Sequence, residues 1–133
     1  MDLITGNFYD ADTSGTGWVI GFSDWTRLPG SDLLHVPQDA PLSGLCVKWY
    51  DHPDGHVSRS DKQVSAGRTM SMLVTTGSHF ELDFSDEPDF HPDHTRTLVM
   101  TRAGDYAAWG AGVYHRWRCE RRSTILTVRW NQD

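Results

Sequence analysis

The spacing of turn residues constrains this chain more than any other feature. No segment keeps apolar residues at i, i+3, i+4 and i+7 long enough for a substantial helix. Short runs rich in β-branched and aromatic residues alternate instead with Gly, Pro, Asp and Ser. Gly44–His52, Arg68–Thr76, His79–Phe84, Thr95–Thr101, Gly104–Trp109, Val113–Cys119 and Ser123–Trp130 read as strands. The first 36 residues hold Trp18-Val19-Ile20 and Leu33-Leu34, which read as one or two edge strands. Asp51–Gly67 and Ser85–His94 are polar, proline-containing loops. Eight or nine short strands without a repeat predict a β-sandwich or barrel. A length of 133 residues suits one domain, residues 1–133, with one core. Gly77-Ser78 reads as the turn of a hairpin joining Arg68–Thr76 to His79–Phe84. Gly110-Ala111-Gly112 reads as the turn of a second pair.

Charge narrows the partners. A formal net charge of −6 argues against nucleic acid, which needs a basic face. Anionic small molecules require only one or two well-placed cations. The two cysteines, Cys46 and Cys119, form no Cys-x-x-Cys motif and no disulfide framework. The opening MDLITGNFYD lacks the basic and apolar regions of a signal peptide. No apolar run approaches the roughly 20 residues that span a bilayer. The expectation is a cytoplasmic protein with reduced thiols and no membrane partner. Six tryptophans suit either a pocketed β protein or a crowded core.

Strand alternation sorts the candidate site residues. In Gly44–His52 one face carries Leu45, Val47, Trp49 and Asp51; the other carries Cys46, Lys48, Tyr50 and His52. The second face aligns an ammonium, a phenol and an imidazole, so it either meets solvent or builds a site. His115 follows a tight glycine reversal and shares a face with Trp117 and Cys119. Lys48 and Arg129 lie on central-looking strands, where a long cation needs either a protein carboxylate or an anionic ligand. Arg68 could join them. Trp49, Tyr50, Trp109 and Trp117 could wall a pocket or fill a narrow barrel. His52 and His56 are i and i+4 in a loop. His91 and His94 sit in an acidic loop read as solvated. His79, Glu81 and Asp83 read as the wet face of their strand.

The segment from Gly104 to Cys119 is similar to the second motif of the cupins, G-x5-P-x-G-x2-H-x3-N. Gly104, Gly112 and His115 match it, Gly110 stands for the proline and Cys119 for the asparagine. Arg68–Phe84 resembles the strand-turn-strand that ends the first cupin motif, with Gly77 as its turn glycine. The chain thus resembles small single-domain bacterial cupins. That resemblance implies an all-β, double-stranded β-helix (jelly-roll) barrel, pairing as a homodimer. It also implies a divalent metal, such as Zn, Fe, Mn or Ni, held by two histidines and a glutamate of the first motif and one histidine of the second. Counting back from Gly77 places the glutamate position at Met70 and the histidine positions at Ser65 and Gln63. His115 is the one position that carries over as a ligand, so the other metal ligands stay unassigned.

The functional expectation is a small-molecule enzyme of isomerase, cyclase or lyase type, acting by acid–base chemistry on a polar or conjugated substrate, in a setting such as natural-product biosynthesis. His115 carries the proton, and Lys48 and Arg129 steady developing negative charge. Tyr50, His52, Arg68, Trp49, Trp109 and Trp117 bind the substrate. The alternative is a cupin domain that binds or senses a small molecule without turnover.

Overall fold

The computed structural model describes residues 1–22, 34–36, 41–58 and 63–132. They form β1 (Leu3–Asn7), β2 (Ile20–Gly21), β3 (Leu34–His35), β4 (Leu42–His52), β5 (Gln63–Val64), β6 (Arg68–Leu73), β7 (His79–Ser85), β8 (Thr95–Met100), β9 (Asp105–Trp109), β10 (Tyr114–Arg121) and β11 (Ser123–Gln132). A 3-10 turn at Pro92–His94 is the one helical piece among the described residues. No helix is long and apolar enough to cross a membrane.

Two antiparallel sheets make the barrel. One runs β1-β9-β6-β11-β4, the other β5-β10-β7-β8, and β2 and β3 form a small parallel pair. This is the jelly-roll arrangement of a cupin-type barrel. Leu73, Ala107, Trp109 and Ile125 from the first sheet pack on Phe80, Leu82, Phe84, Met100 and Cys119 from the second. Burying each large side chain contributes about 1.5–3 kcal/mol, which drives the two sheets face to face. Strand β11 lies between β6 and β4 in its sheet.

Two expected hairpins do not form. β6 pairs with β9 and β11, whereas β7 pairs with β8 and β10. The turn at Gly77, φ +68°, therefore carries the chain from one sheet to the other. The same holds for β9 and β10, which lie in different sheets. Gly112 takes φ +82° at that corner, and its N–H donates to the Ser65 carbonyl at 2.9 Å. Both turns fasten corners of the barrel, because each flanking strand finds a better-matched partner far away in sequence.

The outer face of the larger sheet is covered over half its width. Phe8, Ala11, Val19 and Leu34 lie over Ile4, Met70, Tyr106 and Ala108, around an apolar cavity of about 100 Å³. Phe8 stacks on Tyr106 with centroids 4.3 Å apart, and Phe22 meets the buried Trp130 edge-on at 5.1 Å. Leu45, Val47 and Trp49, on the outer face of edge strand β4, remain exposed. Cys46 and Cys119 are free thiols.

Candidate active site

Register fixes the inner face of the larger sheet row by row, since directly paired residues share a face. The first row is Cys46, Arg129, Thr69 and Trp109. The second is Lys48, Thr127, Ser71 and Ala107. The third is Tyr50, Ile125 and Leu73, and His52 faces Ser123 in the fourth. Polarity therefore falls along the strands, from a cationic, hydroxylated end to an apolar one. On the opposite sheet, His115, Trp117 and Cys119 of β10 lie beside Phe84, Leu82 and Phe80 of β7. Between the two walls is a cavity of about 260 Å³. Its lining includes Lys48, Thr69, Arg129, His115, Trp117 and Phe80.

His115 reaches the cavity over the polar end, with its ring 5.2 Å from that of Trp109. Its Nδ1 is buried without a hydrogen-bond partner among the described residues. Burial lowers its pKa to about 4, the Arg129 and Lys48 cations push the same way, and the Val113 backbone opposes them. The imidazole is thus neutral at pH 7. Arg129 meets no carboxylate among the described residues; its Nη2 makes one long contact, 3.4 Å, to Ser65 Oγ. That hydroxyl also accepts from Trp109 Nε1 at 2.8 Å. The Thr69 hydroxyl, on a residue only 4% exposed, has no partner among the described residues. Ser71 and Thr127 satisfy each other at 2.8 Å. Lys48 is exposed at the open side, its Nζ 5.8 Å from the Tyr50 ring centroid.

His52 occupies the apolar end. Its Nδ1 lies 3.1 Å from His56 Nδ1, so one ring donates and the other accepts. Tyr50 stacks on it at 4.1 Å and Trp117 meets it edge-on at 4.4 Å. Burial, then His56 and Lys48, lower its pKa to about 4, with Asp51 opposing.

The structure thus brings together Lys48, His52, Trp109, His115, Trp117 and Arg129, all expected at the site. Tyr50 shares their face but stands outside the cavity lining, packed on His52. Two expected substrate contacts are corrected. Trp49 alternates with Lys48 and Tyr50, so its side chain leaves the barrel, where it is 64% exposed. Arg68 alternates with Thr69, and its guanidinium pairs with Asp2 at 2.7 Å. Sequence reading missed Thr69 and Ser65. Small hydroxyl residues carry no sequence signal by themselves, yet Thr69 is flagged by being the inward neighbour of Arg129.

The donor set does not suit the divalent metal that the family resemblance implies. Met70, at the counted glutamate position, points out of the barrel toward the N-terminal segment. Ser65 is committed to Trp109. Around His115 the neighbouring charges are cations, and the second cavity histidine, His52, belongs to the other end. Among the described residues one group of three could approach an ion, His79, Glu81 and Glu120, and it lies outside the cavity. There Arg118 Nε already pairs with Glu81. The stripe read as merely wet is also corrected: Asp83, at 3% exposure, accepts from Thr97 at 2.7 Å, Arg116 at 2.8 Å and Arg118 at 3.0 Å.

No family model and no curated protein matches this sequence. Solved structures do match in shape. The TDP-fucose-3,4-ketoisomerase WlaRA of Campylobacter jejuni is similar at TM-score 0.53 and 12% identity, covering 100% of this chain and 84% of its own. A conserved protein of unknown function from Streptococcus pyogenes is similar at TM-score 0.53 and 14% identity, over 71% of this chain and 78% of its own. The Streptomyces albus enzyme HEPD, solved with 2-hydroxyethylphosphonate and Fe(II), is similar at TM-score 0.51 and 9% identity over 67% of this chain. The match spans 18% of that enzyme's length. At these identities the likeness is one of fold.

Proposed function

We propose that the barrel is a small-molecule enzyme of isomerase or lyase type, in which His115 moves a proton beside two cations. The observation that carries this reading is a neutral, partly buried imidazole whose Nδ1 has no partner among the described residues, facing Arg129 and Lys48 in a cavity that no described carboxylate lines. A neutral imidazole can take a proton from carbon next to a carbonyl, leaving the electron pair on the carbonyl oxygen as an enolate. Lys48 and Arg129 stabilise that charge. Where that carbon carries a hydroxyl the anion is an enediolate: the hydroxyl proton passes to the former carbonyl oxygen, His115 returns its proton to the former carbonyl carbon, and the isomerisation is complete; where the enolate instead expels a β-substituent with its bonding pair, the outcome is an elimination. The ketoisomerase named among the structural neighbours catalyses a reaction of this kind and supports the reading.

Proton abstraction can be tested without knowing the product. A panel of keto sugars, α-keto acids and β-keto acids is incubated with the protein in D₂O, and carbon-bound deuterium is followed by NMR. At least one compound should exchange, and His115→Gln should slow that exchange by about 10²–10⁴-fold. Exchange unaffected by the substitution would remove His115 from the proton-carrying role. Binding with no exchange across the panel would leave a binding domain without turnover.

A further inference from the structure

We infer that the cavity takes a small carboxylate with a short, flat apolar body, bound head-first: the carboxylate against Arg129 and Thr69, the body between Trp117, Leu82, Phe80 and Ile125. The inference rests on the cavity being the substrate site and adds the class and orientation of the ligand.

Arg129 and Thr69 are direct partners across β11 and β6, on the face that lines the cavity. Partners so placed hold their Cβ atoms about 4.5–5.5 Å apart. A guanidinium and a hydroxyl at that separation offer N–H and O–H donors to the two oxygens of one carboxylate. Neither donor is otherwise well used. Among the described residues the Thr69 hydroxyl, on a residue that is nine-tenths buried, has no partner, and Arg129 has one long contact. Leaving a buried hydroxyl unsatisfied is unfavourable, so this end is organised for a group that arrives from outside. The neutral His115 adds a second unpartnered atom, Nδ1, over the same end.

The opposite end is mainly apolar, and His52, which also lines it, is already paired with His56. Ile125 and Leu73 continue the sheet one row beyond the hydroxyls, and Phe80, Leu82 and Trp117 face them. Phe80 and Trp117 lie nearly parallel, 22° between planes and centroids 5.6 Å apart, as the wall of a flat slot. The volume, about 260 Å³, is below the range of about 300–1,000 Å³ typical of drug-sized ligands. Lys48, in the next row and exposed, is then left to meet charge that develops on the reacting part of the ligand, while Arg129 holds charge already present.

Tryptophan fluorescence and calorimetry with trans-cinnamate, cinnamamide, acetate, inorganic phosphate and thymidine diphosphate test this class. Cinnamate should bind saturably, and cinnamamide and acetate at least about tenfold more weakly. Thr69→Val, which keeps the shape, should weaken cinnamate by about five- to tenfold, and Arg129→Gln should abolish the preference for acid over amide. Equal binding of acid and amide, or binding of phosphate or thymidine diphosphate in place of cinnamate, would overturn the proposal. His115→Gln should retain cinnamate binding. Keto acids of the panel that bind without any deuterium exchange in the wild type would sink the catalytic reading and leave the ligand class standing.

Discussion

Two regions of this barrel gather charged side chains, and they do so in opposite ways. On the smaller sheet, Asp83 is buried with three donors around it: Thr97, Arg116 and Arg118. Burial raises its pKa, but the hydrogen bonds from Thr97, Arg116 and Arg118 outweigh that and hold it below the usual carboxylate value. Arg116 also lies 4.3 Å over the Phe90 ring, so the cluster is closed from above. On the inner face of the larger sheet, Arg129 and Lys48 line a cavity with no carboxylate among its described lining residues. The first arrangement is complete in itself. In the function proposed above, the second is completed by an anionic ligand. A buried charge with all its partners fastens structure, and one without them marks a site.

The largest expected effect breaks the comparison by changing pH. His52 and His115 both have folded pKa values near 4, below the ordinary 6.5. The unfolded chain therefore binds more protons between pH 6.5 and 4, and stability falls as pH drops through that window. The loss should be on the order of 3 kcal/mol for each histidine, read from urea midpoints at pH 7 and pH 4. Replacing both histidines by Gln should flatten the slope. Asp83, with its lowered pKa, loses its contribution only at more acid pH, below the usual carboxylate range. A slope that survives in the double variant would place the acid sensitivity elsewhere.

Substitution at the completed cluster should cost less. Asp83→Asn removes the charge that faces two guanidinium groups and should cost about 2–3 kcal/mol in urea unfolding. The cost stays below that of a fully buried ion pair because Arg116 and Arg118 are each partly exposed. At the incomplete cluster the same experiment should give the reverse sign or nothing. Arg129→Met removes a cation that lacks a carboxylate partner, so stability should change by less than about 1 kcal/mol or rise. Cinnamate binding should disappear in that variant. A large destabilisation would show that Arg129 is structural. The smallest effect is expected at Trp49, where Trp49→Thr on the exposed outer face should shift stability by within about 0.5 kcal/mol and leave ligand binding unchanged.

The strands and their faces were legible because alternation survives any tertiary arrangement: Lys48 and His52 face inward and Trp49 outward, as period two requires. The choice of Trp49 and Arg68 as substrate contacts went against that same alternation and was wrong. Pairing was less legible than faces. Gly77 and Gly112 announce reversals, but a reversal says nothing about whether the chain re-enters the same sheet. That is decided by partners distant in sequence, such as β11 for β6 and β1 for β9. The counted first-motif positions failed for a related reason. Spacing from a turn glycine fixes distance along the chain, and Met70 ended on the outer face. Thr69 and Ser65 escaped notice because their value lies in what they are next to.

The central position of β11 has a kinetic consequence. It is the last strand in sequence among the described residues, yet it joins β6 to β4 in the larger sheet. Until Ser123–Gln132 has left the ribosome, β4 lacks the one partner strand it has among the described residues and β6 lacks one of two. The sheet can close only when Ser123–Gln132 is free to slide between them. Folding that waits on such distant pairings runs in milliseconds to seconds, slower than helical domains of similar size. During that wait the nascent chain presents two unpaired apolar edges, which is the interval in which a chaperone would have most to do.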